Sequence, residues 1–183
     1  MPAPVVPALP PEADPPEPVV VTEPLRVLHL ETLGTREPVD ITPFDAAGEV
    51  VPDEMMKLST LLAPRNPRGG PPDPEDVVRI DPALAALLLR ISAELGDAPL
   101  VIVSGHRKPG RGTSKKSFHV KGMAADIAVA GVKPVEIRRA ALRAGAGGVG
   151  LYPRFVHVDV REEPYRWGAG GGRPRLRRPA PSK

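Results

Sequence analysis

The order of elements legible in this chain predicts a small α+β domain, built on a mainly antiparallel sheet with two or three helices. Three observations carry that prediction. Residues 81–96 place Leu84, Leu87, Leu88, Ile91 and Leu95 at helical spacing between Asp81-Pro82 and Gly96. Residues 155–160, Phe-Val-His-Val-Asp-Val, alternate as a strand does. Helical and extended segments also follow one another irregularly, unlike the strict alternation of a doubly wound fold.

Taken from the N-terminal side, Leu25 to Glu31 (LRVLHLE) alternates in character, and a second short strand around Val39 to Ile41 can pair with it after a turn at Gly34. Asp53 can cap a helix carrying Met55, Met56, Leu58, Leu61 and Leu62, which Pro64 stops. Arg65 to Glu75, rich in proline and glycine, reads as a surface loop. Asp81 followed by Pro82 starts the 81–96 helix and Gly96 suits its C-terminal end. The apolar run Leu100 to Val103 fits a buried strand that leads into Ser104-Gly105-His106-Arg107. After a basic, glycine-rich loop to Phe118, Ala124 to Val129 reads as a strand and Pro134 to Ala144 as a helix ended by Gly145. Gly148 to Tyr152 and Phe155 to Val160 are the last strands expected.

The chain has 183 residues, enough for one domain with a core once its ends are set aside. Residues 1–24 hold nine prolines with Glu12, Asp14, Glu17 and Glu23 and no basic side chain, a composition that cannot bury enough apolar surface to order itself. They read as an extended acidic tether. Residues 168–183 are glycine followed by Arg173, Arg175, Arg177, Arg178 and Lys183 among prolines, and read as a basic tail. The folded domain is therefore expected over residues 25–167. The net charge of +3 resides largely in that tail, so it does not mark a binding face. With three Phe, two Tyr and one Trp there are few stacking platforms, which argues against a nucleic-acid partner. No run of eighteen apolar residues exists to span a membrane. The N-terminus lacks a basic segment followed by an apolar one, so an export signal is either of an unusual type or lies outside this sequence. A proline-rich opening would nevertheless serve as a spacer in an exported protein.

The absence of cysteine excludes disulfides and thiolate metal sites, leaving His, Asp and Glu as metal ligands. Three of the four histidines fall within residues 106–157, near the ends of expected strands. His29, on the edge hairpin, reads as an ordinary surface residue. His119 precedes a turn through Lys121-Gly122 into a strand whose small Ala124 and Ala125 permit close approach, and Asp126 lies mid-strand in an apolar run. A carboxylate there is costly unless a cation or several donors compensate it. Alternation places His157 and Asp159 on one sheet face and the valines on the other. His119, Asp126 and His157 would thus supply three ligands of a catalytic zinc site on that face, with a hydrogen-bonded polar cluster as the alternative.

The segments Ser104-Gly105-His106-Arg107, Ser117-Phe118-His119-Val120-Lys121-Gly122-Met123-Ala124-Ala125-Asp126, Gly147-Gly148-Val149-Gly150-Leu151-Tyr152 and Phe155-Val156-His157-Val158-Asp159 resemble the signatures of zinc murein peptidases. That superfamily includes D-Ala-D-Ala carboxypeptidases, L,D-endopeptidases and hedgehog-like domains. The chain is most similar to its periplasmic murein endopeptidase branch, over Leu25 to Trp167.

The resemblance implies Zn2+ on His119, Asp126 and His157, and hydrolysis of peptide bonds in peptidoglycan stem peptides or cross-links by a monomer in the periplasm or cell envelope. It places Arg107 where a guanidinium can hold a substrate carboxylate or developing oxyanion, against the alternative of a surface ion pair. Ser117 is implied as a group supporting the substrate site, or as a loop-capping hydroxyl. Tyr152 and Trp167 read as packing residues. Relatives carry an acidic residue or His two or three positions before the last ligand, whereas this chain has Phe155 and Arg154. Asp159 is the first substitute as general base, with an orienting role on His157 as its alternative, and His106 is the second. The loop between His106 and Ser117 is also shorter than in relatives. A catalytically inactive, zinc-containing wall-binding module of the same fold is the competing expectation.

Overall fold

The computed structural model describes residues 27–33, 38–110 and 112–168. The acidic tether, nearly all of the basic tail, and the turn at Gly34 lie outside them. The first strands, β1 (Leu28–Thr32) and β2 (Pro38–Ile41), form the expected antiparallel hairpin, with Leu28, Leu30 and Ile41 fully buried. His29 faces Asp40 across it, Nδ1 to Oδ1 at 2.7 Å, as an exposed pair.

Helix α1 (Pro52–Leu61) begins two residues earlier than expected, with Val51 and not Asp53 at the N-cap. Pro52 presets the helical φ at the first position and needs no N–H partner there, which leaves Asp53 and Glu54 inside the first turn. In α2 (Pro82–Glu94) the Asp81 Oδ1 accepts from the Ala83 N–H at 2.8 Å, and Gly96 takes a φ of +73° beyond the end. This helix buries Leu84, Leu87, Leu88 and Ile91 completely, each contributing about 1.5–3 kcal/mol. Between α1 and α2 the surface loop holds a single 3-10 turn at Pro74–Asp76.

The remaining elements are β3 (Leu100–Ser104), β4 (Ala124–Ala128), α3 (Pro134–Arg143), β5 (Gly148–Leu151), β6 (Val156–Asp159) and β7 (Tyr165–Gly168). The seven strands of the described residues join one sheet in the order β2-β1-β3-β4-β6-β5-β7. The sheet is mixed, which corrects the expectation of a small, mainly antiparallel one. The path from β1 to β3 runs through both α1 and α2, so β3 returns parallel to β1. β7 was not anticipated, because Tyr165-Arg166-Trp167 is short and follows a charged stretch. It returns to the free edge of β5, parallel to it, and Gly168, assigned by composition to the tail, is its last residue.

Alternation divides the sheet into two faces. Leu28, Leu30, Leu100, Ile102, Ala125, Ile127, Val149, Val156 and Val158 belong to the apolar core shared with the helices. The opposite face of the central strands carries Asp126, His157 and Asp159 beside the side-chain-free Gly148 and Gly150.

Candidate metal centre

β4 and β6 pair antiparallel so that Asp126 lies directly opposite His157 and Ala124 opposite Asp159. Cross-strand partners project to the same side, so this register alone brings two of the three expected ligands together. On the other flank of β4, a register shift between Ile102 and Ser104 sets one extra β3 residue against it and places Ser104 opposite Asp126. Such a bulge re-aims the strand end toward the site.

His119 arrives from the loop after β3. That loop is anchored where Gly105 crosses the end of α1: the His106 N–H donates to the Leu62 carbonyl at 2.7 Å. A Cβ on Gly105 would lie 2.4 Å from that same oxygen, so only glycine permits the approach. Farther on, Gly122 takes a φ of +70° against the Arg79 carbonyl and turns the chain into β4. The Ser117 hydroxyl accepts from the His119 N–H at 3.3 Å, a loop-capping contact.

The three side chains converge. His119 Nε2 lies 3.0 Å from His157 Nδ1 and 3.3 Å from Asp126 Oδ1, and His157 Nδ1 lies 3.0 Å from the same Oδ1. All three residues are buried. The second nitrogen of each ring has its own acceptor, His119 Nδ1 on the Gly105 carbonyl at 2.6 Å and His157 Nε2 on Asp159 Oδ2 at 3.0 Å. Those acceptors take the proton of each neutral imidazole, so the two nitrogens facing inward carry lone pairs. Three lone-pair donors therefore point at one place. That is unfavourable unless a proton or a cation sits among them, and it is the arrangement that a metal ligated by two histidines and a carboxylate requires. A tetrahedral set at ordinary zinc distances has edges of about 3.3 Å, close to the 3.0, 3.0 and 3.3 Å found here. The residues fit a small divalent cation.

Charge balance agrees. Burial works against ionised Asp126, but hydrogen bonds with His119 and His157 outweigh it and hold the carboxyl well below the usual carboxylate range. Burial likewise opposes charge on His157, yet Asp126 and Asp159 raise its pKa above the ordinary histidine value in the metal-free protein.

Arg107 lies at the rim. Its Nε donates to Ser104 Oγ at 2.8 Å and its Nη2 pairs with Asp126 Oδ2, the oxygen turned away from the histidines. The Arg107 side chain is 38% exposed, and its Nη1 has no partner among the described residues. His106 is buried, outside the three-residue cluster, with Nδ1 unpartnered among the described residues, and burial pushes its pKa down.

Asp159 is fully buried beside Gly148, behind the His157 ring. Besides His157 Nε2 it accepts from Arg161 three times: the backbone N–H at 3.1 Å, Nε at 2.8 Å and Nη2 at 2.5 Å. Burial opposes its ionisation, and the bonds from Arg161 and His157 hold it well below the carboxylate range nonetheless. Sequence reasoning passed over Arg161, although the spacing 157, 159, 161 continues the same alternation. It also treated Trp167 as packing; the ring lies 4.9 Å from that of His157 and its Nε1 donates to the Tyr152 hydroxyl at 3.0 Å.

Residues 20–166 match the family described as Peptidoglycan L,D-endopeptidase MepK. The protein of that name from Escherichia coli strain K12 is 37% identical over 147 residues, covering 74% of this chain and 76% of its own. The Shigella flexneri protein of the same name matches equally. The Haemophilus influenzae protein named Probable peptidoglycan L,D-endopeptidase MepK is 29% identical over 155 residues, covering 78% of this chain and 79% of its own.

Proposed function

Since the chain belongs to the peptidoglycan L,D-endopeptidase MepK family, we propose that it is a zinc metallopeptidase hydrolysing L,D peptide bonds in peptidoglycan stem peptides or cross-links. Its place of work in this reading is the periplasm or cell envelope, where that polymer lies, and it acts as a monomer. No helix among the described residues is long and apolar enough to cross a membrane. The acidic tether before residue 25 and the basic tail after the domain would flank the catalytic unit. The observation that carries the reading is the convergence of His119 Nε2, Asp126 Oδ1 and His157 Nδ1, three lone-pair donors with their remaining ring nitrogens already engaged.

Zinc bound there would supply Lewis-acid polarisation of the scissile carbonyl and of a water. The rest falls to side chains of this chain. Arg107 keeps Asp126 Oδ2 occupied, which leaves Oδ1 for the metal, and its Nη1, without a partner among the described residues, is the group that would meet a substrate carboxylate or the oxyanion of the tetrahedral intermediate. Ser104 steadies Arg107 through Nε, and Ser117 shapes the His119 loop without touching substrate in this reading. Asp159 is committed to His157 and Arg161 and lies behind the ring, so its role is to orient His157 and not to accept a proton from water. Of the two proton-transfer candidates only His106 keeps a polar side-chain atom without a partner among the described residues, and burial pushes its pKa down. It is the proton acceptor in this reading.

Purified muropeptides incubated with the zinc-loaded protein should yield new amines detectable by mass spectrometry, at about one zinc per chain. His119→Ala and His157→Ala should lose the metal, whereas His106→Gln should keep it and lose about 100-fold or more in turnover. Full zinc content in both alanine variants would remove the metal assignment, and normal turnover in His106→Gln would remove the proton-transfer role. An unmutated, zinc-loaded protein inactive on several muropeptides would favour the non-catalytic wall-binding module.

A further inference from the structure

A carboxylate with no solvent exposure is stable only when donors surround it. Asp159 has such a surround, and most of it comes from one residue. Arg161 gives it a backbone N–H, Nε and Nη2, while His157 Nε2 gives the fourth contact. Space for the carboxylate exists because residue 148 lacks a side chain: a Cβ there would lie 2.1 Å from Asp159 Oδ2. The guanidinium itself is held by rings. Its central carbon lies 4.7 Å from the Phe118 ring centre, 5.3 Å from that of Tyr165 and 5.6 Å from that of Trp167.

The origin of those rings matters. Phe118 immediately precedes His119, and Trp167 reaches the His157 ring across β5, where a Cβ on Gly150 would lie 2.3 Å from the indole. Arg161 is thus tied to both histidines of the cluster: through its aromatic cage to the segment bearing His119, and through Asp159 to His157. A lysine could offer the charge but not the two parallel N–H groups that meet both carboxylate oxygens.

We propose that Arg161 is a positioning residue of the metal centre, whose caged guanidinium locks Asp159 and thereby holds His157 with Nδ1 turned toward His119 and Asp126. The role rests on the metal reading above. It predicts that the tautomer of His157 depends on a residue four positions along the chain that touches neither metal nor substrate.

The test uses the full chain and two variants. Arg161→Met keeps an unbranched side chain against the rings and removes the fork, and Arg161→Lys keeps the charge. Imidazole 15N spectra of the metal-free protein, recorded at a pH where His157 is neutral, should show Nε2 protonated and Nδ1 unprotonated. In Arg161→Met the two signals should move toward each other as the tautomers mix. Zinc affinity, measured by competition with a chromophoric chelator, should fall about tenfold to hundredfold in Arg161→Met, and by a smaller factor in Arg161→Lys. An unmixed tautomer and a zinc affinity within twofold of the unmutated protein in either folded variant would overturn the proposal, even if melting temperature fell. If Arg161→Met does not fold, Arg161→Lys alone decides by the same criterion. Because the spectra need no metal, a protein that binds no zinc but shows the tautomer shift would sink the metal reading and leave the clamp standing.

Discussion

Replacing Gly105 with alanine should damage the fold and the candidate metal centre together, through one contact. The added Cβ would lie 2.4 Å from the Leu62 carbonyl oxygen, 2.6 Å from Leu62 Cβ and 2.8 Å from Leu62 Cα. Relaxed contacts of this kind are about 3.5 Å, so the end of β3 and the end of α1 must part by about 1 Å. Two of the contacts are to backbone, which cannot rotate away. Overpacking of this sort costs about 1–3 kcal/mol, and stretching the bond from His106 N–H to the Leu62 carbonyl, now 2.7 Å, adds about 1 kcal/mol. For a domain of this size the sum corresponds to a fall in Tm of about 6–16 °C. The Gly105 carbonyl is also the acceptor of His119 Nδ1 at 2.6 Å. A shift of that size would break the bond and free the ring, costing about tenfold to hundredfold in zinc affinity. Thermal melts and chelator competition on Gly105→Ala measure both effects. Gly110→Ala is the control, since a Cβ there meets nothing within 4 Å. A Gly105→Ala protein with unchanged Tm would refute the steric argument. One with lowered Tm but unchanged zinc affinity would refute the link from the carbonyl to His119.

Acidification should weaken zinc binding, because Asp126 and Asp159 raise the pKa of His157 and the metal must displace its proton. Apparent affinity should therefore fall by about tenfold per pH unit below that raised value and level off above it; competition titrations flat from about pH 5.5 to 8 would contradict this. Arg107→Lys should lower kcat/KM on a muropeptide about tenfold to hundredfold through loss of the fork, while the half-exposed position limits the stability change to about 1 kcal/mol. A large loss of stability with normal kinetics would make Arg107 a structural ion pair.

Local sequence determined most of the elements and the identity of the converging side chains. Asp81-Pro82 with Gly96 bounds α2 because capping and proline geometry act within a few residues. The alternation of residues 155–160 sets His157 and Asp159 on one face because the strand repeat is two. An aspartate in the apolar run of β4 announces a compensating partner for the same reason that burial of bare charge is costly. Other features depend on which strands become neighbours, and no local pattern carries that. The mixed sheet, the pairing of Asp126 with His157, and the bulge that sets Ser104 beside Asp126 follow from crossovers and register. β7 is too short to be read alone, yet pairing with β5 makes it a strand and carries Trp167 onto His157. The surroundings of Asp159 depend on packing in the same way. Alternation put it on the correct face, but its place behind the His157 ring, closed in by Gly148 and clamped by Arg161, is a matter of tertiary packing, and hydrogen bonds to that carboxylate leave it no lone pair directed at the metal position.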